Sequence, residues 1–163
     1  MTSAEITVVE ADLDQPAHQQ AILELTDSYA CDPMGGATPL SPAVRGALIS
    51  GLRRHPTTRV FLAFAEGQAV GIASCFTGFS TFHAQPLINI HDLAVRPGRR
   101  GQGIGRQLLV AVERRARQMG CCKLTLEVGE RNGNARALYE AVGFRQAGAD
   151  EPVGPMVFMT KKL

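Results

Sequence analysis

Residues 96–109 read RPGRRGQGIGRQLL, with four glycines and four arginines set where an amphipathic helical pattern begins. From Ile104 onward the apolar positions Ile104, Leu108, Val112, Ala116 and Met119 step by about one helical turn. Arg114, Arg115 and Arg117 fall off that stripe, so a helix is expected from Ile104 to the stop signal at Gly120. The start of a helix is its electropositive end, and each exposed cation there costs about 0.3–1 kcal/mol. Nothing local in the sequence offsets that cost. The pattern makes sense if an anion is delivered to the site, because Gly101, Gly103 and Gly105 leave backbone N–H groups bare enough to wrap phosphate oxygens. The plainer reading is a glycine-rich turn kept solvated by its arginines. A Walker A loop is excluded because Gly103 is followed by Ile104 rather than Lys, and a dinucleotide fingerprint from Gly101 would need glycine where Arg106 stands.

Working outward, LINIHDLAV (residues 87–95) is nearly continuous in apolar residues and reads as a strand buried on both faces. Asn89, His91 and Asp92 are out of place there. Before it, TRVFLAFAEGQAVGIASCFTGFS splits at Glu66-Gly67-Gln68 into two antiparallel strands. Ser41 and Pro42 mark the start of a helix running to Arg54, an earlier helix should end near Cys31 ahead of Pro33 and Gly35-Gly36, and Glu5–Glu10 reads as a first strand. After Gly120, CCKLTLEV reads as a strand, NGNARALYEAVGF as a short helix closed by Gly143, and Met156–Lys161 as a last strand. The expected order is β-α-α-β-β-β-α-β-α-β, a mixed α/β sandwich without repeats.

The chain of 163 residues, 45% hydrophobic and 20% charged, suits one globular domain over 1–163. A net charge of +2 is too small to argue for nucleic acid, and no apolar run reaches the roughly 18 residues of a membrane span. A cytoplasmic protein is expected, since the first residues lack the pattern of a secretory signal. Cys31, Cys75, Cys121 and Cys122 form no CxxC spacing, which argues against a metal site or a disulfide framework; Cys121 and Cys122 are expected to open a buried strand.

Arg100-Gly101-Gln102-Gly103-Ile104-Gly105, the preceding DLAV with Pro97, and Asn132-x-x-Ala135-x-x-Leu138-Tyr139-Glu140-x-x-Gly143-Phe144 resemble the GCN5-related N-acetyltransferase (GNAT) family from about Leu87 to Phe144. The resemblance implies an α/β (α+β) fold: a mixed, mostly antiparallel sheet with splayed central parallel strands, flanked by helices on both faces. It implies acetyl-CoA as acetyl donor, no metal, backbone contacts from Leu93, Ala94 and Val95 to the pantetheine arm, and a pyrophosphate cradle formed by Arg100, Gly101, Gln102, Gly103, Ile104, Gly105 and Arg106. The delivered anion would then be this cosubstrate.

Asn132, Ala135, Arg136 and Tyr139 occur at helical spacing and share one face. By the resemblance, Asn132 and Ala135 meet the cofactor arm, and Tyr139 contacts it and donates a proton to the departing thiolate; the alternative is a core tyrosine. Transfer to an amine needs a neutral nitrogen and hence a base. Glu127 is the leading candidate, because alternation sets Lys123, Thr125 and Glu127 on a polar strand face; it stands at a spacing from Tyr139 that resembles ribosomal-protein N-terminal acetyltransferases, and a structural ion pair is its other reading. His91 and Asp92 compete with it. As strand neighbours they should point to opposite faces unless the strand bulges. NIHDLAV resembles the equivalent strand of diamine acetyltransferases, but His91 replaces the first acid there, and no GxSxG elbow supports a hydrolase. On the acceptor side, Phe79, Phe82 and His83 offer an aromatic loop, and Glu24, Asp27 and Asp32 offer carboxylates near the first helix end. The expected activity is acetyl transfer from acetyl-CoA to the primary amine of a small molecule by direct attack. Protein N-terminal or lysine acetylation and a non-catalytic acyl-CoA-binding domain are the alternatives, and a homodimer is compatible with either.

Overall fold

The computed structural model describes residues 5–148, 152 and 154–163. The chain divides into two compact units, Met1–Leu126 and Glu127–Leu163. The first contains β1 (Ile6–Glu10), α1 (Pro16–Cys31), α2 (Pro42–Arg54), β2 (Thr58–Ala65), β3 (Gln68–Ser80), β4 (Gln85–Val95), a single 3-10 turn at Pro97–Arg99, α3 (Ile104–Gln118) and β5 (Leu124–Leu126). The second contains α4 (Gly133–Ala141).

The five strands lie in the order β1-β2-β3-β4-β5, antiparallel except for the parallel pair β4 and β5. The β2–β3 hairpin turns on Glu66 and Gly67, both at positive φ (52° and 75°), the backbone twist that a tight hairpin favours. Leu62 and Ile72 face each other in the ladder and share one face of the sheet. On it, Ala21, Ile22 and Leu25 of α1 pack with Val60, Leu62 and Ile72, and Leu48 and Leu52 of α2 lean against the same cluster. Gly71 opens the opposite face. A Cβ added there would lie 2.9 Å from Ile104 Cγ2 and 3.1 Å from Leu108 Cδ1, so α3 seats its apolar stripe directly on the strand. Helices therefore cover both faces.

The predicted helix limits follow from their caps. Ser41 Oγ accepts the Val44 N–H at 3.3 Å ahead of Pro42. At the end of α3, Gly120 (φ 69°) donates to Arg117 and Cys121 donates back to Ala116, closing the helix with a glycine in the left-handed region. In the second unit Gly143 (φ 102°) ends α4 the same way, with the Phe144 N–H on the Tyr139 carbonyl and the two rings edge to face at 5.9 Å.

Three expectations fail. The strand expected over CCKLTLEV spans only Leu124–Leu126, with Cys121 and Cys122 half-buried ahead of it. Met156–Lys161 forms no strand; Met156, Val157, Phe158 and Met159 are exposed, since a β-prone run becomes a strand only when another strand accepts its ladder. β4 is not buried on both faces, because only Ile88 and Ile90 are enclosed and the strand beyond them is half-buried or exposed. All four cysteines are free, and burial pushes the Cys75 thiol up to about 12. No helix among the described residues is long and apolar enough to cross a membrane.

Candidate active site

β4 carries the polar residues that a buried strand would not tolerate, and its pairing explains them. Asn89 faces Phe76 across β3, Ile90 faces Cys75, and then the register slips so that Asp92 faces Ser74. His91 is the extra residue of a β-bulge. Side chains of directly opposed residues share a face, so Asn89 and Asp92 both stand on the α1 face; the bulge keeps His91 there too, its ring edge to face with Phe76 and the ring centres 5.7 Å apart. The strict alternation that would have separated His91 from Asp92 is thus broken, and the two are brought together. Phe76 also meets the His55 ring at 5.2 Å, giving an aromatic platform of His55, Phe76 and His91. Asn89 Nδ2 donates to Thr125 Oγ1 at 3.1 Å, which ties β4 to β5.

The electrostatics of this face are uneven. Burial raises the Asp92 carboxyl above its ordinary value of 3.8, with His91 pulling the other way. The Tyr29 phenol of α1 is raised by burial and by the neighbouring carboxylates of Asp92 and Asp32.

The parallel ladder ends with Ile90 opposite Leu126, at the bulge. Past that point β4 continues with β3 on one side and, among the described residues, no strand on the other. The Arg96 N–H bonds to Val70 of β3, so alternation turns the backbone groups of Leu93 and Val95 outward, with Ala94 toward β3. One outward group is used, for Val95 O accepts from Arg100 Nε at 3.1 Å.

The glycine-rich turn has the predicted backbone. Gly101 and Gly103 sit at φ 77° and 78°, Gly103 is the N-cap of α3, and no side chain caps the helix. Among the described residues, no acceptor meets the N–H groups from Gly101 to Arg106, leaving a concentrated set of donors at the positive helix end. An added Cβ at Gly101 or Gly103 would meet nothing within 4 Å, so the space above the turn is open. The idea that nothing offsets the arginines is corrected. Arg96 pairs with Glu24 at 3.0 Å, Arg99 with Glu66 at 2.8 Å and Arg100 with Asp32 at 2.6 Å, all partners remote in sequence. Arg106 has no ion pair among the described residues and lines, with Arg114 and Val110, a groove of about 460 Å³ against β1. The donors left for an anion at the turn are the amides, with Arg100 beside them engaged by Asp32 and the Val95 carbonyl.

The remaining candidates are placed as follows. Glu127 follows the end of β5 and is exposed, so the strand alternation that set it on a polar face does not reach it. Asn132 is the N-cap of α4, its Oδ1 accepting the Ala135 N–H at 3.2 Å. Tyr139 is buried on α4 on the same side as the half-buried Ala135 and Arg136. Glu24 and Asp32 hold the arginines named above, and Asp27 pairs with Arg45 at 3.2 Å. Phe79 and Phe82 are exposed, and His83 Nδ1 lies 3.1 Å from Ser80 Oγ. Tyr29, His55 and Phe76 were not singled out from the sequence. The four-residue connection between Ser80 and Gln85 sets Phe76 opposite Asn89 and was the available signal for it.

A sequence model described as Acetyltransferase (GNAT) family matches residues 22–144. The chain belongs to the GNAT family of acetyltransferases. Among its relatives, an aminoalkylphosphonate N-acetyltransferase of Salmonella typhimurium is 35% identical over 92 residues, 56% of this chain and 60% of that protein. An IAA acetyltransferase of Azospirillum brasilense is 32% identical over 111 residues, 66% of this chain and 70% of that one. The chain spans roughly half to three fifths of the length of the first relatives it matches. A solved probable acetyltransferase superposes with a TM-score of 0.78 over 96% of this chain and 99% of that chain at 20% identity. An aminoglycoside N-acetyltransferase solved with CoA does so with a TM-score of 0.73 over 99% and 97% at 18% identity. These last two show the shared fold.

Proposed function

We propose that the chain is, as one domain over 1–163, an acetyl-CoA-dependent N-acetyltransferase acting on the primary amine of a small molecule by direct attack. The observation that carries this is the run of uncapped N–H groups from Gly101 to Arg106 at the start of α3, beside the outer edge of β4 where its ladder with β5 has ended. A diphosphate fits such donors without any side chain having to move aside, because the turn is built from glycines. Acetyl-CoA supplies the activated acetyl group. The Leu93 backbone orients the arm along the strand edge, while the Val95 carbonyl is shared with Arg100.

Asp92 is the base of this proposal. It is a half-buried carboxyl whose raised pKa brings its proton affinity closer to that of an amine, and it stands on the same face as His91. Tyr139 is the proposed donor of a proton to the leaving sulfur, and Asn132, held by its capping bond, offers its amide to the arm. The names of the relatives, which include an aminoalkylphosphonate and an aminoglycoside acetyltransferase, support a small amine over a protein acceptor.

The test is thiol release from acetyl-CoA across amines, amino acids and peptides, with Tyr139→Phe alongside. We expect turnover on small amines, and a Tyr139→Phe rate down by roughly a hundredfold with coenzyme A affinity kept. Turnover on peptides alone would move the acceptor class to proteins. Coenzyme A binding with no turnover on any acceptor would leave a binding domain.

A further inference from the structure

Neither the proposed phosphate binding nor the proposed proton transfer gives Asp32 a task. Asp32 ends α1, where a negative charge meets the negative end of the helix dipole, an unfavourable placement on its own. The turn that follows fixes it. Its main-chain carbonyl accepts from Gly35, Gly36 and Ala37 at 2.8, 3.1 and 3.0 Å, and its Oδ1 accepts the Met34 N–H at 2.9 Å. The other oxygen meets Arg100 Nη2 at 2.6 Å, with the Asp32 side chain only 11% exposed. Arg100 immediately precedes the bare amides of the Gly101–Gly105 turn. The Tyr29 phenol feels both the Asp32 and the Asp92 carboxylates, so both acids lie within electrostatic reach of one α1 side chain.

We propose that Asp32 is the cation anchor of the acceptor site, covered by Arg100 in the donor-free protein and uncovered when a diphosphate at the Gly101–Gly105 turn takes Arg100. The inference rests on the phosphate reading of that turn. Arg100 lies between two anionic claims, one a single carboxylate and the other a diphosphate already held by several amides. When it changes partner, Asp32 is left as a carboxylate held by its turn and in need of a cation. The surroundings of the two acids then divide their labour. Asp92 takes up a proton readily and suits the reacting nitrogen, whereas the Met34 N–H, which stays when Arg100 leaves, still favours the Asp32 anion, and that suits a permanent positive charge. The acceptor class this selects is an amine with a second basic nitrogen, bound after the donor.

Calorimetry with 1,4-diaminobutane, in the absence and presence of saturating coenzyme A, tests the gating. KM values for 1,4-diaminobutane and butylamine test the anchor. For the wild type we expect coenzyme A to tighten diamine binding by about tenfold, and by reciprocity the diamine to tighten coenzyme A by the same factor. Asp32→Asn keeps an acceptor for the Met34 N–H. It should lose both the tightening and the KM preference for the diamine. Arg100→Met should bind the diamine without any donor, which separates loss of the anchor from loss of its cover. Equal diamine affinity with and without coenzyme A, or a diamine preference that survives in Asp32→Asn, overturns the proposal while leaving the phosphate reading in place. A wild type that binds no coenzyme A overturns both.

Discussion

Asp32 and Asp92 carry the same functional group into opposite surroundings, and the signs of their linkage to stability are opposite as well. Asp92 loses water, and the opposing pull of His91 toward the anion does not make up for it, so the folded chain holds this proton more tightly than the unfolded chain does. Stability is therefore lost as pH rises above the ordinary value of 3.8 and through the raised folded-state value. For Asp32, the Arg100 hydrogen bond and then the Met34 N–H favour the anion, so its contribution is complete above 3.8 and lost as pH falls through the lowered value. Asp92→Asn should consequently raise the melting temperature at neutral pH, with the gain fading as pH falls below 3.8, where both side chains are neutral. Its turnover at neutral pH should fall by about a hundredfold or more, and the deficit should shrink at alkaline pH as free amine accumulates. Melting curves for the two proteins that stay parallel across pH would show that Asp92 is not strained. A deficit that is the same at every pH would remove it as the base, and the same profile measured on Glu127→Gln would identify its rival. Neither sign was legible in the sequence, because both depend on partners brought by other strands and helices.

At the scale of elements, legibility followed from how local the determinant was. The limits of α2 and α3 could be read from Ser41, Pro42 and Gly120, because a cap acts within one turn of the helix it ends. The β2–β3 hairpin was legible in Glu66-Gly67 for the same reason. β5 was not, since the extent of a parallel strand is set by its neighbour, and β4 stops offering a ladder at the bulge. A bulge has no residue signature of its own; HisAsp reads as two more alternating positions until the register with Ser74 and Cys75 is known. The ion pairs that neutralise Arg96, Arg99 and Arg100 were equally hidden, their carboxylates lying on α1, just after it, or in the hairpin turn. What holds α3 to the sheet can be tested at Gly71. A methyl group there meets Ile104 and Leu108 side chains at 2.9 and 3.1 Å and the Ala94 carbonyl at 3.3 Å, so α3 must shift. Gly71→Ala should cost about 1–3 kcal/mol in urea unfolding and weaken coenzyme A binding, because the shifted helix carries the amides with it. Gly103→Ala meets no atom within 4 Å and strains only a backbone at φ 78°, so its cost should stay near 1–2 kcal/mol. A Gly71→Ala protein as stable as the wild type would mean that the contact between α3 and β3 is looser than the structure shows.

For the whole molecule, the glycine-rich turn is a set of unmatched donors that the proposed diphosphate would complete. Unmatched donors at the start of α3, with no side chain among the described residues to cap them, represent stabilisation that the chain alone does not collect. A ligand that binds the folded state alone stabilises it by RT ln(1 + [L]/Kd), about 2.7 kcal/mol at a hundred times Kd. For a chain of this size each kcal/mol moves the melting temperature by roughly 2–4 °C, so saturating coenzyme A should raise it by about 5–10 °C. The diphosphate should carry most of this shift, and pantetheine, which lacks it, should give little at the same concentration. High salt should shrink the effect of coenzyme A, because the contact is ionic and lies at an open surface. Gly103→Glu introduces both bulk and a like charge where the phosphates would sit, and it should abolish the shift. If pantetheine stabilised the wild type as strongly as coenzyme A, or if Gly103→Glu kept the full response, the start of α3 would not be where the ligand is held, and the arginines around it would serve only the ion pairs already visible in the fold.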